Sequence, residues 1–437
     1  MQFRAIRCCL LAVSLLLAEA SPSAPATKII IHAGHLIADP GKPSLDKQSI
    51  IVENGKITAI VDGFVDGGRI VDLSQAWVMP GLIDMHTHVT VTVDVDSEVP
   101  WSDFMPAFLG RPAARVLASA GRANSILRNG FTTIRNLGDP ASVTYDLRDA
   151  INAGVIDGPR IIASEPMFGV PGGDYDAHNF GEREDLEPLF KSRGSCSGAT
   201  DCERVVREEV RRGAGVIKLR LAAQTLIDPK SGPMETPAEI NAIVSTAHRL
   251  NRRVATHSAG SAAANQIAIE AGTDTIEHGP LSDLNIATMA KRGTAYVPTL
   301  LTAKLATENP KVGVPVEYYL QAKASVTKAY KAHVPILFGT DLPVVPIARE
   351  WEEFLALQDA GLSTADVLKS ATVNAAAALG MADTLGSIEA GKFADLIAVA
   401  HDPRADLHEM GKVIFVMKGG KTVRDDLHDE RVAMNER

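Results

Sequence analysis

The middle of the chain alternates short apolar runs with longer segments of helical periodicity. Helical patterns such as residues 114–128, 202–212 and 237–250 separate the runs, and Thr236 with Glu239 forms a capping box before the last of them. Strand–helix alternation predicts an α/β fold with a parallel sheet. Eight repeats predict a closed (β/α)8 TIM barrel. The eight runs are residues 80–88, 131–135, 160–163, 215–221, 253–257, 275–279, 295–298 and 336–338.

The two ends of the chain show a different pattern, with short runs typical of antiparallel strands. Asn54-Gly55 separates two of them and is a strong hairpin signal. We expect residues 21–79 and 386–437 to form one small β-sandwich domain, with a barrel of residues 80–385 inserted between them. The runs are residues 29–31, 49–52, 56–61 and 69–72, and then residues 391–399 and 412–421.

The first twenty residues have the features of a signal peptide. Arg4 and Arg7 precede an apolar run over residues 8–17, and Ala18-Glu19-Ala20 follows as a small-x-small cleavage site. The alternative is an uncleaved anchor, but the run is shorter than the ~20 residues that a span requires. We therefore expect a periplasmic or secreted protein that begins near Ser21.

Composition and charge narrow the function. The 437 residues are 46% hydrophobic and 22% charged, as in a globular protein of one large and one small domain. The net charge of −9 argues against a nucleic-acid partner, which needs a basic surface. After signal cleavage no apolar stretch could span a membrane. Cys196 and Cys202 then remain, either as a disulfide in an oxidising compartment or as two free thiols.

Polar residues end, or nearly end, several of the apolar runs. His86 and His88 are separated by one residue, so on a strand they share a face, roughly 6.6 Å apart. The carboxyl ends of barrel strands meet at one rim, where active sites lie. We therefore predict one site at this rim. Its residues are His86, His88, Lys218, His257, His278 and Asp341.

The chemistry of this set indicates a metal centre. Four imidazoles and one carboxylate suit Zn²⁺ or a similar divalent ion. Lys218 is the unusual member, because an ammonium in an apolar strand beside metal ions is electrostatically unfavourable. A carbamate formed from that lysine and CO₂ would instead be an anionic ligand able to bridge two ions. Alternatively, Lys218 points away from the site and pairs with a helix carboxylate.

These motifs together resemble the amidohydrolase superfamily in its binuclear, carboxylated-lysine form, and residues 386–396 resemble the closing β segment of that family. Within it the chain is most similar to exported imidazolonepropionase-like and prolidase-like metallo-carboxypeptidases, including ochratoxin-hydrolysing amidases. The resemblance implies two ions, with zinc expected. His86, His88 and Asp341 would hold one ion and His257 with His278 the other, bridged by Lys218 as N6-carboxylysine.

The resemblance also implies a function. A metal-bridged hydroxide would attack an amide, with Asp341 as the catalytic proton carrier. The expected reaction releases a C-terminal amino acid from dipeptides or N-acyl amino acids, including Xaa-Pro and ochratoxin A-like amides, in a homo-oligomer. One alternative is a cyclic-amide hydrolase of the imidazolonepropionase type. Another is a non-catalytic binding barrel, which would be expected to lack ligands, whereas this sequence lacks none.

Three further residues are candidates for substrate binding. Arg220 lies two residues beyond Lys218 and should face the same way, where it would bind a substrate carboxylate or pair with an acidic neighbour. His178 ends a glycine-rich stretch that either approaches substrate or is a surface turn. Tyr296 is either an oxyanion donor or a buried core residue.

Overall fold

The structure is a computed structural model that describes residues 28–91, 111–139, 142–173, 192–221, 234–258 and 261–428. The predicted signal peptide and His178 lie outside these ranges. Over the described ranges, no helix combines the length and the apolar character needed to span a bilayer.

Fifteen strands are described, and they fall into three sheets. In chain order they are β1 (Ile29–Leu36), β2 (Leu45–Glu53), β3 (Lys56–Asp62), β4 (Arg69–Pro80), β5 (Leu82–Thr87), β6 (Phe131–Leu137), β7 (Arg160–Ser164), β8 (Met167–Phe168), β9 (Val216–Arg220), β10 (Arg253–His257), β11 (Thr275–Glu277), β12 (Ala295–Val297), β13 (Leu396–Val399), β14 (Phe415–Lys418) and β15 (Lys421–Asp425).

The α-helices of the described ranges all lie between β5 and β13, and short 3-10 helices occur at Ile347–Arg349 and Leu407–Gly411. The α-helices are α1 (Pro112–Arg128), α2 (Thr144–Asn152), α3 (Ala199–Arg212), α4 (Pro237–Arg249), α5 (Ala262–Ala271), α6 (Asp283–Arg292), α7 (Leu300–Glu308), α8 (Val316–Lys331), α9 (Glu352–Asp359), α10 (Thr364–Ser370) and α11 (Val373–Ala378). The predicted capping box of α4 is confirmed, because the Glu239 amide donates to Thr236 Oγ1 and the Thr236 amide donates to Glu239 Oε2.

Strands from both ends of the chain share one seven-stranded sheet, in the order β15-β14-β13-β4-β1-β2-β3. Asn54 and Gly55 join β2 to β3, and both have the positive φ that a tight hairpin turn requires. The expectation of purely antiparallel strands is wrong in one place, since β1 pairs with β4 in parallel. The described strands form a single sheet here, so the expected β-sandwich is not confirmed.

The central strands are parallel, as predicted, and most of them alternate with helices. Strand β8 was not predicted, and it follows β7 without a helix between them. The central strands form a five-stranded sheet, in the order β12-β11-β10-β9-β8, and a three-stranded sheet, in the order β5-β6-β7. The predicted eighth strand, residues 336–338, is not a regular strand; isolated bridges link Tyr296 to Ile336 and Thr87 to Leu342. A closed eight-stranded ladder is therefore not detected among the described strands.

The hydrogen bonds of the eighth segment, residues 336–338, explain why it stays irregular. Pro335 precedes the segment and has no amide hydrogen to donate to a ladder, and the Phe338 amide donates to the Ser370 carbonyl at 3.1 Å instead of to a strand. The segment nevertheless lies between β12 and β5. The Leu337 amide donates to the Tyr296 carbonyl at 2.9 Å, and the Asp341 amide donates to the His86 carbonyl at 2.7 Å. This placement puts Asp341 beside the end of β5.

Asp395 attaches the seven-stranded sheet to the central strands. Its carboxylate accepts a hydrogen bond from Arg160 Nη1 at 2.6 Å and another from the Gly419 amide at 2.7 Å. Its carbonyl accepts from the Gly81 amide at 2.9 Å, immediately before β5. The buried carboxylate is thus paired with a cation and fixes the start of the histidine strand against the terminal sheet.

Cys196 and Cys202 are joined by a disulfide, and both side chains are buried. Cys202 lies in the first turn of α3, and Cys196 lies in the preceding loop. The bond therefore holds the loop against the helix that precedes the Lys218 strand.

We expect the purified protein to contain this disulfide. Mass spectrometry after alkylation without reduction should find neither Cys196 nor Cys202 modified. Because the closed loop is short, replacing both with serine should lower the free energy of unfolding by only about 2 kcal/mol on the loop-entropy estimate. Two alkylated thiols in unreduced protein would contradict the pairing.

Candidate metal centre

Three side chains converge where β5, β11 and the eighth segment end. One ligand atom from each of His86, His278 and Asp341 lies within 4.8 Å of the other two. Asp341 Oδ1 is 3.5 Å from His86 Nε2 and 3.2 Å from Nε2 of His88. Two imidazole nitrogens therefore face one carboxylate oxygen, as in a first ligand shell.

The opposite nitrogens of these imidazoles are held by surrounding groups. His86 Nδ1 is 2.7 Å from Glu277 Oε2, His88 Nδ1 is 3.2 Å from the Gly138 carbonyl oxygen, and His278 Nδ1 is 2.7 Å from Thr299 Oγ1. An ionised carboxylate and a carbonyl oxygen accept hydrogen bonds, so these contacts place a hydrogen on Nδ1 of His86 and of His88, and all three contacts restrain the orientation of the rings. With Nδ1 occupied, each ring presents Nε2 to the centre.

Lys218 points into the same centre. Its Nζ lies 3.4 Å from His86 Nε2, and the side chain is only 1% exposed. The alternative orientation, away from the site, does not occur in the structure. Burial lowers the pKa of Lys218 to about 7, because an ammonium loses its hydration there. The charged form of this lysine is therefore disfavoured at this position.

His257 completes the histidine group, and Arg220 accompanies it. The rings of His257 and His278 have centroids 4.8 Å apart, and those of His86 and His278 4.3 Å. Arg220 pairs with His257 in the register of β9 and β10. Burial and then the Arg220 charge lower the pKa of His257 well below its ordinary value.

The electrostatic environment favours neutral imidazoles around an ionised carboxylate. Burial lowers the pKa of His278 to about 3 and that of His86 well below its ordinary value. Burial alone would raise the pKa of Asp341, but its interactions with His278, His88 and Lys218 outweigh burial and lower that pKa. Neutral imidazoles and a carboxylate are the protonation states that bind divalent ions.

Glu277 and Arg135 form a buried ion pair behind His86, and neither was predicted as a site residue. Arg135 Nη2 donates to Glu277 Oε1 at 2.7 Å, and its Nε donates to the Met85 carbonyl at 2.6 Å. Thr275 also bonds the Glu277 carboxylate. The signal was present, since Arg135 ends the second apolar run just as the ligands end theirs. Its partner lies on β11, which no local pattern identifies.

Two tyrosines have contrasting positions near the site. Tyr296 is fully buried, and its hydroxyl donates to the Gly279 carbonyl at 2.5 Å, which favours the core alternative over the oxyanion role. Tyr318, on α8, is partly exposed. Burial and the Asp341 carboxylate raise the pKa of Tyr318 to about 12, so this hydroxyl, which the sequence did not single out, lies within electrostatic reach of Asp341.

The donor set fits a divalent metal. Nitrogen ligands from imidazoles and oxygen from a carboxylate are what zinc prefers, and each ordered Nδ1 contact prepares an Nε2 for coordination. A lysine ammonium does not fit such a site, whereas an anionic derivative of it would. An α/β fold with these groups at the carboxyl ends of parallel strands is an arrangement typical of metal-dependent hydrolases.

The chain belongs to the amidohydrolase family, whose family description matches residues 77–423. It is 30% identical to ochratoxinase from Aspergillus niger over 90% of this chain and 86% of that protein. It is 23% identical to imidazolonepropionase from Porphyromonas gingivalis over 86% of this chain and 88% of that protein. The fold is similar to the crystal structure of a Xaa-Pro dipeptidase with bound methionine in the active site, with a TM-score of 0.78 and 30% identity over 91% of this chain and 99% of that one. These similarities establish a hydrolase with a fold of the TIM-barrel type.

Proposed function

We propose that the protein is a metal-dependent amidase that releases a C-terminal amino acid from dipeptides or N-acyl amino acids. The observation that carries the proposal is the position of Arg220. It pairs with His257 in the sheet and acts electrostatically on that imidazole, so a guanidinium accompanies the ligand group. A substrate with its amide at the ligands could place a free carboxylate against this cation.

The roles of the ligands follow from their arrangement. His86, His88 and Asp341 would hold one ion, and His257 and His278 the other. Lys218, as N6-carboxylysine, would bridge the two. When bound, such a pair of ions supplies Lewis acidity and an acidified water at neutral pH.

The chain's own groups supply the proton transfer and the orientation. Asp341 Oδ1 faces the imidazoles of His86 and His88, where it could accept a proton from the attacking water and return it to the leaving amine. Glu277 fixes the His86 ring, so the geometry of the first ligand is set before substrate arrives. The substrate is thus held at its amide by the centre and at its carboxylate by Arg220.

The relatives support this class of substrate. Ochratoxinase is named for an action on ochratoxin, and the Xaa-Pro dipeptidase structure contains methionine, a free amino acid, in its active site. A site that accepts a free amino acid must accommodate its carboxylate. We infer a similar product for this chain, with ochratoxin A-like amides and Xaa-Pro dipeptides among the substrates.

A substrate panel tests the proposal. Purified mature protein with zinc should hydrolyse N-acyl amino acids and dipeptides, with the free amino acid detected by mass spectrometry. Imidazolone propionate, the cyclic alternative, should be turned over far more slowly. Turnover of the cyclic amide alone would replace the proposal with the imidazolonepropionase-type reaction, and no turnover of any member would favour a binding protein.

Arg220 should distinguish free acids from amidated substrates. Arg220→Met should lower kcat/KM for carboxylate-bearing amides about tenfold to a hundredfold, the equivalent of ~1.5–3 kcal/mol for a charged hydrogen bond. Arg220→Lys should also lose much activity, because an ammonium cannot form the bidentate hydrogen bond to a carboxylate that a guanidinium forms. Metal content should stay unchanged, and substrates whose carboxylate is amidated should lose much less.

Arg253 offers a matched control for this test. It lies at the start of β10, at the opposite end of the strand from His257, and pairs with Asp274 on the surface. Arg253→Met should leave kcat/KM for both substrate types near that of the unaltered protein. Equal losses on free and amidated substrates in the Arg220 variants would instead assign Arg220 to the scaffold.

A further inference from the structure

Thr299 begins helix α7 in an unusual way. It occupies the N-cap position, where a threonine hydroxyl normally accepts a hydrogen bond from the backbone of its own helix, yet it makes no such bond. Its backbone is in the left-handed region, with φ of 46°, which is costly for a β-branched residue. The hydroxyl instead lies 2.7 Å from His278 Nδ1.

Glu353 performs the capping that Thr299 does not. This side chain comes from α9 and is fully buried. Its two carboxylate oxygens accept hydrogen bonds from the Leu300 amide at 3.0 Å and the Leu301 amide at 2.6 Å. These are two of the amides that every helix leaves unpaired at its start. With a carboxylate from another helix in this place, the threonine hydroxyl is not required there.

The same turn also contacts the segment that carries Asp341. Thr302 Oγ1 donates to the Thr340 carbonyl at 2.6 Å, one residue before the carboxylate. Thr340 in turn donates through its hydroxyl to Asp84 at 2.5 Å, and Asp84 accepts from the His86 amide at 2.8 Å. The first turn of α7 is therefore connected to His278 on one side and to the Asp341 segment on the other.

We propose that Thr299 is a positioning residue that holds His278 with Nδ1 protonated and Nε2 free, and that Glu353 makes its hydroxyl available by capping α7 in its place. The backbone strain at Thr299 is consistent with this division, because a relaxed N-cap would turn the hydroxyl toward the helix. The inference rests on the proposed function only in treating His278 as a metal ligand.

The first test measures the imidazole itself in metal-free protein. With histidines labelled in ¹⁵N and His278 assigned by its absence in His278→Gln, the unaltered protein should show the Nδ1–H tautomer at His278. Thr299→Val should shift this resonance pair toward the mixture of tautomers seen in water, and Thr299→Ser should keep the original tautomer. An unchanged tautomer in Thr299→Val would overturn the role of Thr299, whether or not the protein binds metal.

The second test measures zinc affinity by competition with a chelator. Thr299→Val should weaken one of two zinc sites about tenfold to a hundredfold, as loss of an outer-shell partner typically does, and Thr299→Ser should restore most of it. Thr294→Val is the matched control, since its buried hydroxyl donates to the Thr273 carbonyl at the start of β12. Equal affinities in Thr299→Val and Thr294→Val would contradict the proposal. If the unaltered protein binds no zinc, that result contradicts the proposed function and leaves the tautomer test of Thr299 unaffected.

The part played by Glu353 is tested by combining variants. Glu353→Gln keeps one oxygen acceptor and should shift the His278 tautomer in the same direction as Thr299→Val, but less. Because both act through one hydroxyl, adding Glu353→Gln to Thr299→Val should change the tautomer no further. Fully additive shifts would show that Glu353 acts on His278 by another route.

Discussion

His86→Ala should remove bound metal and amidase activity together. Its Nε2 lies 3.5 Å from Asp341 Oδ1 and 3.4 Å from Lys218 Nζ, so this imidazole is central to the ligand group. The unaltered protein should carry close to two divalent ions per chain by plasma mass spectrometry. The variant should lose more than the roughly hundredfold in metal affinity that outer-shell changes cost, with a matching loss of kcat/KM.

Two further substitutions serve as a parallel test and as a control. His257→Ala should have the same double effect through the other ion. His248 is a histidine of α4 that bonds Asp274 near the surface, so His248→Ala should keep both metal and activity. A fully active preparation with no bound metal would refute the mechanism, since every catalytic role assigned above depends on the ions.

Lys218→Ala should lose metal and activity to a similar degree. An unmodified ammonium at this buried position, 3.4 Å from an imidazole nitrogen, would repel the ions that the surrounding ligands attract. As a carbamate, the same side chain supplies a bridging anion. In protein equilibrated with ¹³C-bicarbonate and zinc, a carbamate resonance should appear, and it should be absent from the variant.

Partial rescue of Lys218→Ala by an added carboxylate would distinguish the loss of a metal ligand from the loss of the folded structure. Short carboxylates such as acetate can enter the space left in Lys218→Ala, and they should restore some metal binding and some activity. Lys418→Ala is a matched control, because this half-buried lysine of β14 donates to the Gly158 carbonyl away from the ligands. Experimental density for a free ammonium at Lys218 in metal-loaded protein would contradict the carbamate.

Much of the central fold could be predicted because seven of the predicted strands end within two residues of the end of their apolar run. The positions of His86 and His257 near strand ends, and of Lys218 in the middle of β9, follow from that pattern and from alternation along a strand. The structure of residues 336–338 could not be predicted in the same way. Their apolar run is compatible with a strand, but Pro335 cannot donate a hydrogen bond before it, and the tertiary contact of the Phe338 amide with the Ser370 carbonyl depends on a distant segment.

Pairing between distant strands is the information that local patterns lack. The parallel contact of β1 with β4 depends on which edges meet, and a strand's composition does not specify its partner. Glu277 and Arg135 illustrate the same limit in the site, since either charge alone would indicate exposure and only their contact explains the burial. Tyr296 is similar, because its partner is a backbone carbonyl.

The seven-stranded sheet has a consequence for the order in which the chain can fold. Strand β13 is made more than 300 residues after its neighbour β4. Until then the edge of β4 has unpaired backbone groups, which other chains could bind. Closing so long a loop is slow, because non-local pairing must first overcome the loop entropy. A chain truncated before Leu396 would keep that edge permanently open and should aggregate, even with every proposed ligand present.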